Sequence, residues 1–146
     1  MFYEQDLNIK CDQMYIGKMA VKVHIALVVQ EGMKDNLQKL INDHKTFLSD
    51  NYIVSTKGTA EYIHEKTEIT VTEIVNSGQE GGDISIANML LEGDIDIAIF
   101  LLNPIRYFPH CQDAYALMRV CNFKNIPLAM NMKTADLVLS SIARES

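Results

Sequence analysis

Ser77-Gly78-Gln79-Glu80-Gly81-Gly82-Asp83 is the stretch whose reading decides the fold. It follows Ile69–Val75 (ITVTEIV), which is β-branched and alternating as a strand should be, and precedes Ile84–Leu91, where apolar residues recur at helical spacing. Three glycines and an acid thus stand where a strand hands over to a helix. Such a junction can surround a phosphate with backbone N–H groups at the helix start. Asp83 admits two readings here: an N-cap that accepts from first-turn N–H groups, or a carboxylate beside a bound ligand.

Outward from this junction the same alternation repeats. Val21–Val29 (VKVHIALVV) has the composition of a central strand buried on both faces, and His24 within it reads as a hydrogen-bonded core histidine. After Gln30-Glu31-Gly32, the residues Met33, Leu37, Leu40, Ile41 and Phe47 recur as on a helix. Lys34 then falls in the first helical turn, where the helix dipole disfavours a cation unless an anion is also present. An exposed lysine and an anion ligand both fit that placement.

Asn51–Ser55 reads as a short strand, and Thr56-Lys57-Gly58-Thr59 puts two hydroxyls and a glycine at a second strand-to-helix junction, before a helix through Ala60, Ile63 and His64. Gly93 closes the helix that follows the organising loop. Ile95–Leu102 (IDIAIFLL) is another buried strand, leading into Asn103-Pro104-Ile105-Arg106-Tyr107-Phe108-Pro109-His110, whose prolines exclude regular structure. Asp113 lies three residues beyond His110, so the two form either an acid–base unit or an ordinary loop hydrogen bond. A helix over Ala114–Phe123, a strand at Ile126–Met130 and a closing helix with Leu137, Val138 and Ile142 complete the pattern. Five strands alternating with helices predict an α/β fold, a three-layer sandwich around a five-stranded parallel sheet with right-handed crossovers. Residues 1–20 are expected to form an N-terminal arm and 21–146 the α/β domain.

Composition narrows the partners. The 146 residues are 48% hydrophobic and 22% charged, enough for one full core. A net charge of −6 without a basic cluster excludes the electrostatic footprint of a nucleic-acid binder. No apolar run has the length of a membrane span and residues 1–20 lack a signal-peptide core, so the expected compartment is the cytoplasm, with no membrane partner. Cys11, Cys111 and Cys121 are widely spaced, as are His24, His44, His64 and His110, which predicts no disulfide framework, no metal and no cofactor.

In an open parallel sheet the loops leaving the carboxyl ends of the strands share one edge. Gln30–Lys34, Thr56–Thr59, Ser77–Asp83 and Asn103–Asp113 should therefore meet at one crevice. Gly58, Gly78, Gly81 and Gly82, four of the seven glycines, lie in the second and third of these loops, favouring close backbone approach to a ligand. A small phosphorylated molecule fits this inventory best.

Four stretches carry a resemblance: Ser77-Gly-x-x-Gly-Gly-Asp83, Ser55-Thr-x-Gly-Thr59, Asn103-Pro104 with Pro109-His110 and Asp113, and Asn125-Ile126-Pro127-Leu128-Ala129 with Asn131 and Thr134-Ala135-Asp136. Together, over about Val23 to Leu139, they resemble the methylglyoxal synthase family. The resemblance implies a methylglyoxal synthase-like α/β domain and a carbon–oxygen lyase that converts dihydroxyacetone phosphate to methylglyoxal and inorganic phosphate. It also implies a homohexamer and no metal requirement. On the matching positions, Asp83 is the catalytic base, and His110, supported by Asp113, is the active-site histidine. The phosphate ligands are Lys34, Thr56, Thr59, Ser77 and Gly78, while Gln30, Lys57, Gly58 and His110 complete the substrate-binding set.

The chain departs from the family pattern at several of these places. Gln30-Glu31 stands where His-Asp is usual, Thr56-Lys57-Gly58-Thr59 where Thr-Gly-Thr-Thr is typical, and Asn103-Pro104 where Asp-Pro is found. The chain also stops soon after the Thr-Ala-Asp helix, short of the family's C-terminal segment. An amide donates hydrogen bonds without titrating, so Gln30 and Asn103 change which protons the crevice can exchange. The alternative reading is a non-catalytic module of the same type that binds a small phosphorylated effector. Asp83 discriminates between the two, since a pure phosphate binder has no use for a carboxylate against an anion.

Overall fold

The computed structural model describes residues 22–105 and 111–145, without the side chains of Gln79 and of residues 111–113. The arm expected over residues 1–20 lies outside the described residues, as does His110. In chain order the elements are β1 (His24–Val29), α1 (Lys34–Asp43), α2 (Lys45–Ser49), β2 (Tyr52–Thr56), α3 (Lys57–Lys66), β3 (Glu73–Val75), a 3-10 turn (Gly78–Glu80), α4 (Gly82–Glu92), β4 (Ile97–Leu101), α5 (Cys111–Lys124), β5 (Leu128–Ala129) and α6 (Met132–Glu145). The strands form one parallel sheet in the order β3-β2-β1-β4-β5.

Successive side chains of a strand point to opposite faces, and β1 beyond His24 and the whole of β4 are apolar at every position. Ile25 and Leu27 of β1, with Ile97, Ile99 and Leu101 of β4, join Leu37, Leu40 and Ile41 of α1, Ile63 of α3 and Leu139 of α6 in one buried cluster. Ala26 and Val28, with Ala98 and Phe100, meet Ile86 and Leu90 of α4 and Leu117 and Cys121 of α5 in the other. Helices therefore cover both faces, giving the three layers expected.

Three local readings differ from the sequence pattern. The strand expected over Ile69–Val75 is regular only over Glu73–Val75: the Thr72 N–H still donates to Ile53 O at 2.9 Å, but the Thr72 hydroxyl accepts the Ile53 N–H at 3.0 Å where a backbone carbonyl would continue the ladder. Ile69 and Val71 are still buried, so their apolar alternation reports core contact without strand pairing. The helical pattern from Met33 to Phe47 is divided at His44, which ends α1 and opens α2 while its ring bonds Asp136 of α6 at 2.8 Å. Leu137 is 59% exposed; Ala135 and Leu139 supply the buried face of α6.

The chain builds outward from β1 through β2 to β3, then returns to start β4 on the other side of β1. The point between β1 and β4 is where loops leave in opposite directions and open a crevice at the carboxyl edge. Among the described residues no helix is long and apolar enough to cross a membrane, and no cluster of three or more His, Cys, Asp or Glu could hold a metal ion.

Candidate active site

A cavity of about 450 Å³ opens at this switch point. It is lined from three junctions: Gln30, Glu31 and Lys34 after β1, Thr56, Gly58 and Thr59 after β2, and Ser77, Gly78 and Asp83 after β3. Val28, Val29 and Phe100, at the ends of the central strands, form its apolar wall.

The glycine loop sets the position of the acid. Ser77 O accepts the N–H groups of both Glu80 and Gly82 at 2.9 Å, folding the loop back on itself. Gly81 then takes φ 91°, a left-handed conformation that side chains rarely adopt, and serves as the N-cap of α4. At Gly82 an added Cβ would stand 1.8 Å from Asn76 O, so only glycine passes. Asp83 is consequently the second residue of α4 and is not its N-cap, contrary to the simplest reading of an acid at a helix start. Only 4% exposed, it sits beneath Gly78, with a carboxylate oxygen 3.1 Å from where a Cβ at Gly78 would lie. A carboxylate in the first turn of a helix is favoured by the helix dipole.

The hydroxyls at the start of α3 and the lysine of α1 lie alongside. The Thr56 hydroxyl donates to that of Thr59 at 3.1 Å, and Thr59 Oγ1 accepts the Val29 N–H at 3.3 Å, so α3 starts pinned to β1. No side-chain hydrogen bond from the N-cap Thr56 closes the start of α3, whose residues Gly58 and Thr59 line the cavity. Lys34, the first residue of α1, holds its ammonium 3.7 Å from a Glu31 carboxylate oxygen and 5.7 Å from the centroid of the Tyr62 ring. The stack and the ion pair hold a half-exposed cation at the mouth, where its charge is available to a ligand.

Gln30 occupies the switch point itself. Its N–H donates to Leu101 O at 3.0 Å, and its side-chain oxygen accepts the Asn103 N–H at 2.9 Å. Asn103 is anchored in turn: its Nδ2 donates to Glu31 O at 3.0 Å and its Oδ1 accepts the Ile105 N–H at 3.0 Å. The tight turn at Gly32, with φ 88°, makes room for that amide, because a Cβ there would lie 2.6 Å from Asn103 Nδ2.

Of the residues singled out from sequence, Gln30, Lys34, Thr56, Gly58, Thr59, Ser77, Gly78 and Asp83 come together around one cavity. Lys57 is exposed and does not line it. His110 and the Asp113 side chain lie outside the described residues. Glu31 and Phe100 also line the site; Glu31 stands three residues before Lys34 in the sequence, whereas Phe100 carries only a core-strand signal.

Residues 36–130 match the family described as MGS-like domain. The chain is 36% identical over 123 residues to a methylglyoxal synthase from Photorhabdus laumondii, an alignment covering 84% of this chain and 80% of the relative. It is also 36% identical over 121 residues to an uncharacterized Synechocystis protein, of which it spans 28%. Among solved structures, a methylglyoxal synthase from Elizabethkingia anophelis superposes with a TM-score of 0.77 at 34% identity, covering 82% of this chain and 78% of that one. With the family model matched over more than half of the chain and a methylglyoxal synthase more than 30% identical over four fifths of its own length, the chain belongs to the methylglyoxal synthase family.

Proposed function

We propose that the protein is a methylglyoxal synthase, eliminating phosphate from dihydroxyacetone phosphate. The observation that carries this reading is the buried Asp83 carboxylate beneath Gly78, in the same cavity as Lys34, Thr56, Thr59 and Ser77. A site that only held phosphate would gain nothing from an acid there, whereas proton removal beside a ketone requires a base within hydrogen-bond reach.

In this proposal the phosphate sits among Lys34, the threonine and serine hydroxyls and the α3 N–H groups. Asp83 takes a proton from the hydroxymethyl carbon, and the electron pair moves to the carbonyl oxygen as an enediolate. His110, oriented by Asp113, donates to that oxygen. The hydroxyl on the deprotonated carbon then loses its proton as the aldehyde forms. The double-bond pair shifts toward the ester carbon, whose bond to oxygen breaks, and phosphate departs. The remaining enolate takes up a proton at its methylene carbon to become methylglyoxal. Each step stays within acid–base chemistry.

The non-catalytic alternative draws on Gln30 and Asn103, neutral amides at the switch point. One assay separates the two: phosphate and methylglyoxal followed together from dihydroxyacetone phosphate, with Asp83→Asn alongside. Equal yields of both products from wild type, and none from the variant, are expected. Undiminished turnover by Asp83→Asn would end the assignment of the base, and phosphate binding without any product from wild type would favour the effector-binding module.

A further inference from the structure

We infer that Asn103 is a positioning residue: its side-chain amide bolts the turn between β1 and α1, and with it Lys34, to the loop that leaves β4. The inference rests on the reading of Lys34 as a phosphate ligand and adds to it the device that holds that ligand in place before phosphate arrives.

Asn103 is not among the described residues that line the cavity. Its amide faces the turn instead. The Met33 N–H donates to Gln30 O at 3.1 Å and closes that turn, which makes Glu31 and Gly32 its two central residues. Gly32 has φ 88° and Glu31 is not among the positive-φ residues, the signature of a type II turn. A type I turn joins the same two ends and differs by a flip of the central peptide, whose carbonyl is that of Glu31. Glycine takes positive and negative φ about equally readily, so Gly32 does not choose between the two forms. The choice falls to the partner of the Glu31 carbonyl, and that partner is Asn103 Nδ2 at 3.0 Å.

Which end of the Asn103 amide meets the turn is settled by its other end. Oδ1 accepts the Ile105 N–H at 3.0 Å, which the amide nitrogen could not do. The Asn103 backbone N–H is bonded to Gln30 at 2.9 Å, so the residue is tied at three points and cannot follow the carbonyl if the peptide turns over. What the bolt holds is functional. The turn runs directly into α1, whose first residue is Lys34, and its own Glu31 carries the carboxylate 3.7 Å from the Lys34 ammonium. Both residues line the cavity. A turn free to exchange between its two forms would have to be ordered when phosphate binds, at a cost in affinity that a turn already held does not incur.

The test pairs Asn103→Ser with Asn103→Asp. Serine can still accept the Ile105 N–H two residues on but is too short to reach Glu31 O; aspartate accepts as well and sets oxygen against that carbonyl. By calorimetry Asn103→Ser should bind inorganic phosphate about threefold to tenfold more weakly, the range of one hydrogen bond, and Asn103→Asp more weakly still. In a Lys34→Ala background the serine change should alter phosphate affinity by less than about twofold, because the two residues act through one junction. The Gly32 amide resonance should shift or broaden in both variants while that of Thr59, in α3, stays. With dihydroxyacetone phosphate, Asn103→Ser should raise KM and leave kcat within about twofold, since Asp83 lies in another junction. Wild-type phosphate affinity in both variants, an equal loss with and without Lys34, or a lower kcat at unchanged KM would each overturn the inference. Faster turnover by Asn103→Asp would overturn it too, by making the position a proton carrier. Lys34→Ala binding phosphate as wild type does would end the reading of Lys34 and the inference with it. An inactive wild type, by contrast, ends only the synthase reading, and the phosphate and resonance measurements then decide the inference alone.

Discussion

Gly78→Ala perturbs the proposed base with the smallest available change. Gly78 is not among the positive-φ glycines, so alanine fits its backbone. The new methyl group would lie 3.1 Å and 3.3 Å from the two carboxylate oxygens of Asp83 and 3.4 Å from its carboxyl carbon, where ordinary contact begins at 3.4 Å. The carboxylate must retreat by about 0.3 Å. If a misplacement of 1 Å costs about 100-fold in rate, a shift of this size costs about fourfold in kcat/KM, or about 0.8 kcal/mol in the barrier. Stability should hardly change, with Tm within about 2 °C of wild type, because no backbone strain is introduced. Gly82→Ala is the contrast: its methyl would meet Asn76 O at 1.8 Å, backbone against side chain, and the loop must refold. That variant should lose both phosphate binding and several degrees of Tm. The assay is phosphate release from dihydroxyacetone phosphate beside a thermal melt of each protein. Wild-type kcat/KM in Gly78→Ala, or a Tm loss matching that of Gly82→Ala, would refute the placement of Asp83 as the reacting carboxylate.

Two further outcomes concern charge. Lys34→Ala should weaken inorganic phosphate by roughly 1.5–3 kcal/mol, as for a hydrogen bond to a charged group, and Glu31→Gln should strengthen it at low salt by removing the anion 3.7 Å from the ammonium; calorimetry showing neither change would return Lys34 to the solvated surface. Burial pushes the Cys121 thiol from 9.0 up to about 11. Its folded value lies above the unfolded one, so its contribution is fully present below pH 9 and is lost as pH rises toward 11. Urea unfolding should show wild type losing up to about 3 kcal/mol more than Cys121→Val across that window, and parallel pH profiles would sink the reasoning.

The central layer was readable because β1 and β4 are buried on both faces, and nothing but a parallel sheet covered by helices gives two apolar runs flanked by amphipathic helices. The edge was less readable. Ile69 and Val71 alternate as strand residues do, yet burial alone produces that alternation, and the side-chain bond from Ile53 to Thr72 that replaces the ladder has no sequence signature. The junction residues were legible as a set, since topology brings carboxyl-end loops together whatever their sequence. The Gln30 and Asn103 lock was not. It joins residues 73 apart through a backbone N–H, and a backbone donor is the same at every position.

Gly81-Gly82-Asp83 repays reading as one geometric unit. An aspartate at the N-cap would have its oxygens answering first-turn N–H groups, and its carboxylate would be held along the helix axis. Here the cap is Gly81, which has no side chain, in a left-handed conformation that turns the chain sharply into α4. The next residue must pass against Asn76 O with no Cβ at all. Only after these two steps does an acid appear, one position into the helix, beneath Gly78 and facing the cavity with the hydroxyls of the neighbouring junctions. Two glycines in succession therefore move the carboxylate from a structural position to a chemical one. The same reasoning explains why inserting any side chain at Gly82 should abolish the site before it alters the fold: the loop carries the burial of Asp83, while the sheet and its two apolar clusters are built without it.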